Sequence, residues 1–468
     1  MKKNVLCLAL LMFSLSANAQ EVTKVIVNEA GITLDIPYFE LETAEGTKAY
    51  QVKLYSPPNS EEPTFLVDWP SLQIVSDATI GSETYFQAQN ATKRLKAAIE
   101  AEVNNNSNME NAALLVAIAD KSFIFSQAAG IANSETGQLM TPNHPFRIAS
   151  VSKTVTAAVV LLMIEAGIFN LDDSLGKLLT DSEIPGDFTV NDILIIDGVG
   201  RGSDITVRQL LSHRSGLKDY LFDPIPGKDE SFFILAVLDI FGAGNGFAKK
   251  QWNAPDEFLE FYLSNWSSAG VAVPGKVFHY ADTNYALLGK LIEKYDGSSL
   301  AQVYRKRIFN PLGMHDTYLE WFEDRHGYFD LAHHFLDFSA FGLGNLNIVS
   351  KGINTSSDWA GGGLVSTLSD LHKFMDALFH NRLFSRQDTF NAMTEILSKK
   401  DDDSGYGLGL EYNKIDGLEV WGHNGFWGVE MLYVPEKNAI LVVTTNQVEQ
   451  EPRVLLKKAF SILIEANW

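Results

Sequence analysis

Cysteine is nearly missing from this 468-residue chain: its one instance, Cys7, falls in a stretch built like an export signal. Lys2 and Lys3 supply the positive start, Val5 to Phe13 the apolar run, and Ala17-Asn18-Ala19 a small-residue cleavage site. The expectation is a signal peptide over residues 1–19, a mature chain starting near Gln20, and a periplasmic or secreted protein. Such a mature chain has no disulfide, no thiolate nucleophile and no thiol-bound metal, which suits a large exported enzyme with a sufficient core. Beyond the signal no apolar run approaches the roughly 20 residues needed to span a bilayer, so no transmembrane anchor is expected. Basic residues are also short, 37 Lys and Arg against 58 Asp and Glu. The net charge is −21, and losing the two signal lysines makes it −23. A surface so acidic argues against nucleic acid and anionic membranes as partners.

Residues 20–90 hold short alternating or β-branched runs, such as Val22-Thr-Lys-Val-Ile-Val27 and Tyr50-Gln-Val-Lys-Leu-Tyr55, separated by turns. They predict a small β-rich accessory module without assignable chemistry. A catalytic domain is expected over 91–468. It opens with a helix over 91–103 and a hairpin formed by 114–119 and 122–126. Helices and loops dominate to about residue 360. Strand patterns return at 417–421, 429–434 and 439–444, and a helix closes the chain at 453–466. Strands early and late, with helices between, predict one sheet built from both ends of the chain.

The chemistry begins in the run Ile148-Ala-Ser-Val-Ser-Lys-Thr-Val-Thr-Ala-Ala-Val-Val-Leu-Leu-Met-Ile164, where Lys153 is the only charge. Burial in such a stretch disfavours the ammonium form of lysine. Ser150 sits three residues earlier, on the same helical face. A hydroxyl beside a neutralisable amine is an activated nucleophile. The blander alternative is a helix-capping serine and a snorkelling lysine.

Three more elements accompany this turn: Tyr280-Ala-Asp282 before a helix, His423-Asn-Gly425 before a strand, and Ser212-His-Arg-Ser-Gly216 between the first turn and these two. With Ser150-Val-Ser-Lys153, the first two resemble the Ser-x-x-Lys, Tyr-x-Asn and Lys/His-x-Gly set of the penicillin-recognising serine hydrolases. That group includes class C β-lactamases, DD-carboxypeptidases, esterases and D-aminopeptidases. Phe146-Arg-Ile-Ala-Ser150, Pro311-Leu-Gly-Met314, Ala360-Gly-Gly-Gly-Leu-Val-Ser-Thr367 and Tyr406-Gly-Leu-Gly409 extend the likeness over roughly residues 95–468. The resemblance implies an α+β fold, β-lactamase/DD-peptidase-like, in which an antiparallel sheet is flanked by helices beside an all-helical subdomain.

It also implies roles. Ser150 attacks a carbonyl, Lys153 and Tyr280 share the base role, and the amides of Ser150 and Phe426 hold the oxyanion. Asp282, His423, Asn424 and Gly425 bind substrate, with His423 orienting a substrate carboxylate and Gly425 letting substrate approach the strand. Gly361 to Gly363 turn along the site floor. His213 is read as a structural brace. His333-His334 lacks a third ligand at a recognisable spacing, so no metal and no cofactor are expected. No Gly-x-Ser-x-Gly elbow and no His-Glu-x-x-His occur, which disfavours a Ser-His-Asp hydrolase and a zinc protease.

One position departs from the pattern. Asp282 stands where the family has asparagine, and an ionised carboxylate accepts but cannot donate. It should favour small esters or amine-bearing substrates over acylamino β-lactams; alternatively it only holds Lys153. Tyr318, Trp321, Phe335, Phe338 and Phe341 form either a substrate wall or ordinary core. The expected function is an exported serine hydrolase working through an acyl-enzyme on peptide, amide or β-lactam bonds, a peptidoglycan stem peptide among them. The alternatives are an esterase or D-aminopeptidase and, from another class, a penicillin sensor that stays acylated.

Overall fold

The computed structural model describes residues 83–466 except 107, 122, 254, 339–343, 400 and 449–451, and upstream the backbone of 24–28, 31–43, 46–56, 66–67 and 73–76. The expected signal at 1–19 and Phe341 lie outside the described residues. Upstream, strands Lys24–Asn28, Gly31–Thr43 and Gly46–Ser56 pair antiparallel in chain order. Leu66–Val67 and Gln73–Ser76 each pair with the third of them.

The chain then enters helix α1 (Glu83–Asn105), which opens ahead of the division expected at residue 90. The main sheet has nine strands. The first three are β1 (Asn111–Ile118), β2 (Phe123–Asn133) and β3 (Gln138–Leu139). The last six are β4 (Ser398–Lys399), β5 (Ser404–Tyr406), β6 (Glu411–Ile415), β7 (Leu418–Gly425), β8 (Val429–Val434) and β9 (Ala439–Thr444). Their order is β4-β5-β6-β7-β8-β9-β1-β2-β3, so the chain's two ends meet where β9 pairs with β1.

Both faces of this sheet are covered, which is why β1 is buried at every position. Ala112, Leu114, Val116 and Ile118 pack with Leu95 and Ile99 of α1 and with Leu455, Leu456, Phe460 and Leu463 of the closing helix (Arg453–Glu465). Ala113, Leu115 and Ala117 turn to the other side, against the core around α2 (Ser152–Glu165) and α3 (Asp282–Asp296). Helix α2 is buried along nearly its whole length and has no polar stripe, as its sequence requires. Among the described residues no helix is long and apolar enough to cross a membrane.

Three short strands fix the front of α2. Phe146–Arg147 pairs with Leu364–Ser366, which pairs with Tyr318–Leu319. Arg147 forks onto Glu320, with Nε and Nη2 at 2.7 and 2.9 Å from its carboxylate. A planar guanidinium in this two-point geometry resists rotation, so the strand leading to Ser150 is held. Of the aromatic segment, Tyr318 and Phe335 are core, Phe338 packs on Phe241, and Trp321 is 40% exposed while its indole donates to Thr355.

Candidate active site

Ser150 lies in the 3₁₀ turn Ala149–Val151 that runs into α2, and Lys153 occupies the first turn of the helix itself. Ala149 has φ 44, a left-handed conformation costly for a residue with a Cβ, as does Trp359 at φ 29 in the facing segment. Ile148 N donates to Leu364 O at 3.0 Å, and Leu364 N donates to Ser152 Oγ at 3.2 Å. The strained turn is therefore bolted to its neighbour from both sides.

Lys153 is fully buried. Its Nζ donates to Ser150 Oγ at 3.1 Å, to Gly361 O at 2.9 Å and to Asp282 Oδ1 at 2.5 Å. The nitrogen thus has a hydroxyl, a carbonyl and a buried carboxylate around it. Gly361 is required here, because a Cβ would come within 2.5 Å of Asp282 Oδ1. It belongs to a one-turn helix, Trp359–Gly362, and Gly362 lines the cavity, which puts the glycine run at the site floor.

Tyr280 precedes α3, and its ring lies 4.8 Å from Lys153 Nζ. Its hydroxyl is buried beside Ser150 with no hydrogen-bond partner of good geometry among the described residues. Burial, then the charge of Asp282, push this phenol well above its ordinary 10. A phenol raised in this way weighs against the base role expected for Tyr280. Asp282 is paired with Lys153, the group that would have favoured a phenolate.

His213 holds that ring. It stacks on Tyr280 at 4.1 Å, and its Nδ1 accepts from Ala281 N and Asn284 Nδ2, both at 3.1 Å. Burial keeps it neutral. The brace expected from its loop is present, but it braces the tyrosine of the site, which the local sequence did not signal.

The residues of His423-Asn-Gly425 close β7 beside the serine's turn. His423 is buried; Nδ1 lies 2.7 Å from Asn424 O and Nε2 3.1 Å from the Tyr406 hydroxyl. Nδ1 must donate to that carbonyl, leaving Nε2 to accept. Desolvation also lowers its pKa. Both ring nitrogens have protein partners and burial works against a cation, which weighs against the expected contact with a substrate carboxylate. Asn424 points to the opposite face of β7, is exposed, and donates to Glu411 at 2.8 Å. Gly425 is needed because a Cβ would lie 2.3 Å from Ile148 O. The close approach it permits is by the serine's own turn. Phe426 follows at the end of β7 and lines the cavity with Ser150.

That cavity, about 80 Å³, has apolar walls from Leu221, Phe222, Phe233, Val237, Phe426 and Trp427. Its polar side comprises Ser150, Asp282 and Asp358 together with Asn354, Thr355 and Ser357. Among the described residues no lysine, arginine or histidine lines it. Asp219, behind Asp282, accepts from the amides of Leu221 and Asp282, and burial raises its carboxyl well above the usual range. Asp358 is pushed up to about 7, by burial first and then by Asp282. Neither acid was singled out from sequence; adjacency of Asp358 to the glycine run was the one available signal.

These raised carboxyls set a pH dependence. Native Asp358 keeps its proton up to about 7, while the unfolded chain releases it near 3.8. Folded protein therefore binds more protons in that window, and stability falls as pH rises through it. The expected loss is on the order of 2 kcal/mol, seen as a melting temperature that declines from about pH 4.5 to about pH 7.5. The decline should flatten in Asp358→Asn; an unaltered slope would show that other groups carry it.

His334 Nε2 accepts from Arg147 N and its Nδ1 donates to Ala332 O, so both ring nitrogens are occupied by backbone. Among the described residues no group of three His, Cys, Asp or Glu side chains is arranged for a metal.

Comparison with known proteins identifies the family. A family model described as Beta-lactamase matches residues 97–463. A penicillin-binding protein of Bacillus subtilis is 22% identical over 362 residues, spanning 73% of this chain and 69% of its own. A D-aminopeptidase of Brucella ovis is 26% identical over 339 residues, 69% of this chain and 54% of that one. Among solved structures, D-amino acid amidase from Ochrobactrum anthropi SV3 superimposes with a TM-score of 0.64 at 22% identity, covering 81% of this chain and 99% of the amidase. At that identity the likeness speaks for the fold.

Proposed function

The chain belongs to the β-lactamase family, and from that membership we propose that it is a serine acyl hydrolase for small amides, peptides or esters bearing no carboxylate beside the scissile bond. The observation that carries this reading is the charge of the cavity: two carboxyls and, among the described residues, no cation. A β-lactam or a D-alanyl-D-alanine terminus presents a carboxylate, and His423, expected to receive it, is neutral and engaged. The amidase, aminopeptidase and esterase readings need no such partner.

Chemistry follows from the hydrogen bonds. Lys153 passes one proton across 2.5 Å to Asp282 and takes the Ser150 hydroxyl proton as Oγ attacks the carbonyl. The amides of Ser150 and Phe426 receive the oxyanion, and donors preset in this way contribute about 3 kcal/mol each. Tyr280, a neutral phenol beside Ser150, delivers its proton to the leaving nitrogen or oxygen and recovers one when water resolves the acyl-enzyme. Apolar walls also suit neutral esters of apolar acids, which keeps esterase activity as a second reading. Export is supported by residues 1–19, and N-terminal sequencing of the secreted protein tests it. The strand-rich segment before α1 is proposed as an accessory surface.

An intact-mass time course decides the main point. A p-nitrophenyl ester is expected to leave a transient acyl adduct on the wild type and none on Ser150→Ala, with a penicillin acylating far more slowly. Equal acylation by penicillin would overturn the carboxylate-free reading.

A further inference from the structure

Asp358 has a feature the acyl-transfer chemistry leaves unused. It lines the same cavity as Ser150, yet among the described residues it pairs with no cation. Its carboxylate accepts a 3.3 Å hydrogen bond from the hydroxyl of Ser357, its neighbour in the same turn. Arg147, whose charge reaches it, pairs with Glu320 through Nε and Nη2, and Lys153 pairs with Asp282. Asp282 itself is satisfied by that lysine, so Asp358 is the carboxyl left to meet a ligand. The same cavity is lined by Phe222, Phe233 and Phe426, whose rings lie 5.2 to 5.5 Å from one another.

We propose that Asp358 anchors a substrate ammonium group while the Phe222, Phe233 and Phe426 wall takes an apolar side chain, making amides and short peptides of apolar amino acids with a free amine the preferred substrates. The assignment rests on the hydrolase reading above and deepens it. An amine, an apolar side chain and a scissile carbonyl on one carbon match the three surfaces the cavity offers: Asp358, the phenylalanine wall and Ser150. A carboxyl raised by burial is also the one that gains most from an incoming cation, since ligand binding supplies the charge that desolvation lacks. The apolar wall supplies affinity without selecting for charge, so discrimination between amine-bearing and amine-free ligands falls to Asp358.

Binding is measured by calorimetry at about pH 7.5, above the raised Asp358 value, on the Ser150→Ala protein, where turnover plays no part. The ligands are phenylalanine amide, in D and L forms, and 3-phenylpropionamide, which lacks the amine. The expected result is a preference for the amine of at least about tenfold that collapses to about one when Asp358→Asn is added. Asp358→Glu should restore part of it, separating a charge effect from a folding defect. A preference that survives Asp358→Asn, or equal weakening of both ligands, overturns the anchor. Failure of the hydrolase reading shows separately, as wild type that binds the amine but forms no adduct with esters or with phenylalanine p-nitroanilide.

Discussion

Lys153→Ala should lose about a thousandfold in kcat and about 3–5 kcal/mol in stability, a combination few active-site lysines would give. The catalytic loss follows from removing the group that receives the Ser150 proton. The stability loss follows from what remains: Asp282, buried, its Oδ1 deprived of a 2.5 Å ion pair, and Gly361 O deprived of its donor. Breaking one half of a buried pair costs more than the pair contributes, because the surviving charge has no solvent to turn to. The double variant Lys153→Met with Asp282→Asn removes both charges and should recover most of the stability while remaining inactive. Denaturant unfolding read beside ester hydrolysis checks both halves. A single variant with an unchanged unfolding midpoint would mean that Asp282 finds another partner.

Gly425→Ala is expected to lower kcat about a hundredfold and to destabilise by about 1–3 kcal/mol. Its new Cβ would sit 2.3 Å from Ile148 O and 3.2 Å from Ile148 C, and these are backbone atoms that cannot swing aside. Relief requires parting β7 from the turn that carries Ser150, which separates the two amides proposed to share one oxyanion. Asn424→Ala, one residue earlier on the exposed face, is the control, with an expected change below about twofold. Loss of activity there instead would return Asn424 to the substrate. Steady-state kinetics on the same ester, with melting curves alongside, distinguishes the two outcomes.

Much of this was legible in the amino-acid sequence, for identifiable reasons. The period-2 and apolar runs at 114–119, 429–434 and 439–444 became strands β1, β8 and β9, and their positions at the two ends of the chain foretold a shared sheet. Ser150 and Lys153 were readable because a lone charge in an apolar helix must be satisfied by something. What could not be read was direction. His423, Asn424 and Gly425 alternate along a strand, and only the register of β7 against β6 and β8 says which of them faces Ser150. Which proton role suits Tyr280 depends on a charge two residues away whose partner lies far back in the chain. Asp219 and Asp358 carry no motif at all; their importance comes from burial, which short sequence patterns do not report.

The seam where β9 joins β1 has a consequence for when this protein can act. The serine's turn comes from the first half of the chain, while the amide of Phe426, proposed to share the oxyanion, follows a strand near its end. A partly synthesised or partly folded chain therefore has a nucleophile but no place to put the developing charge. Closing a sheet between such distant segments is slow, because the loop entropy is spent before the contacts repay it. On the proposed chemistry Ser150 becomes competent only when the fold is complete, and an unfinished chain is expected to be silent without any added inhibitor.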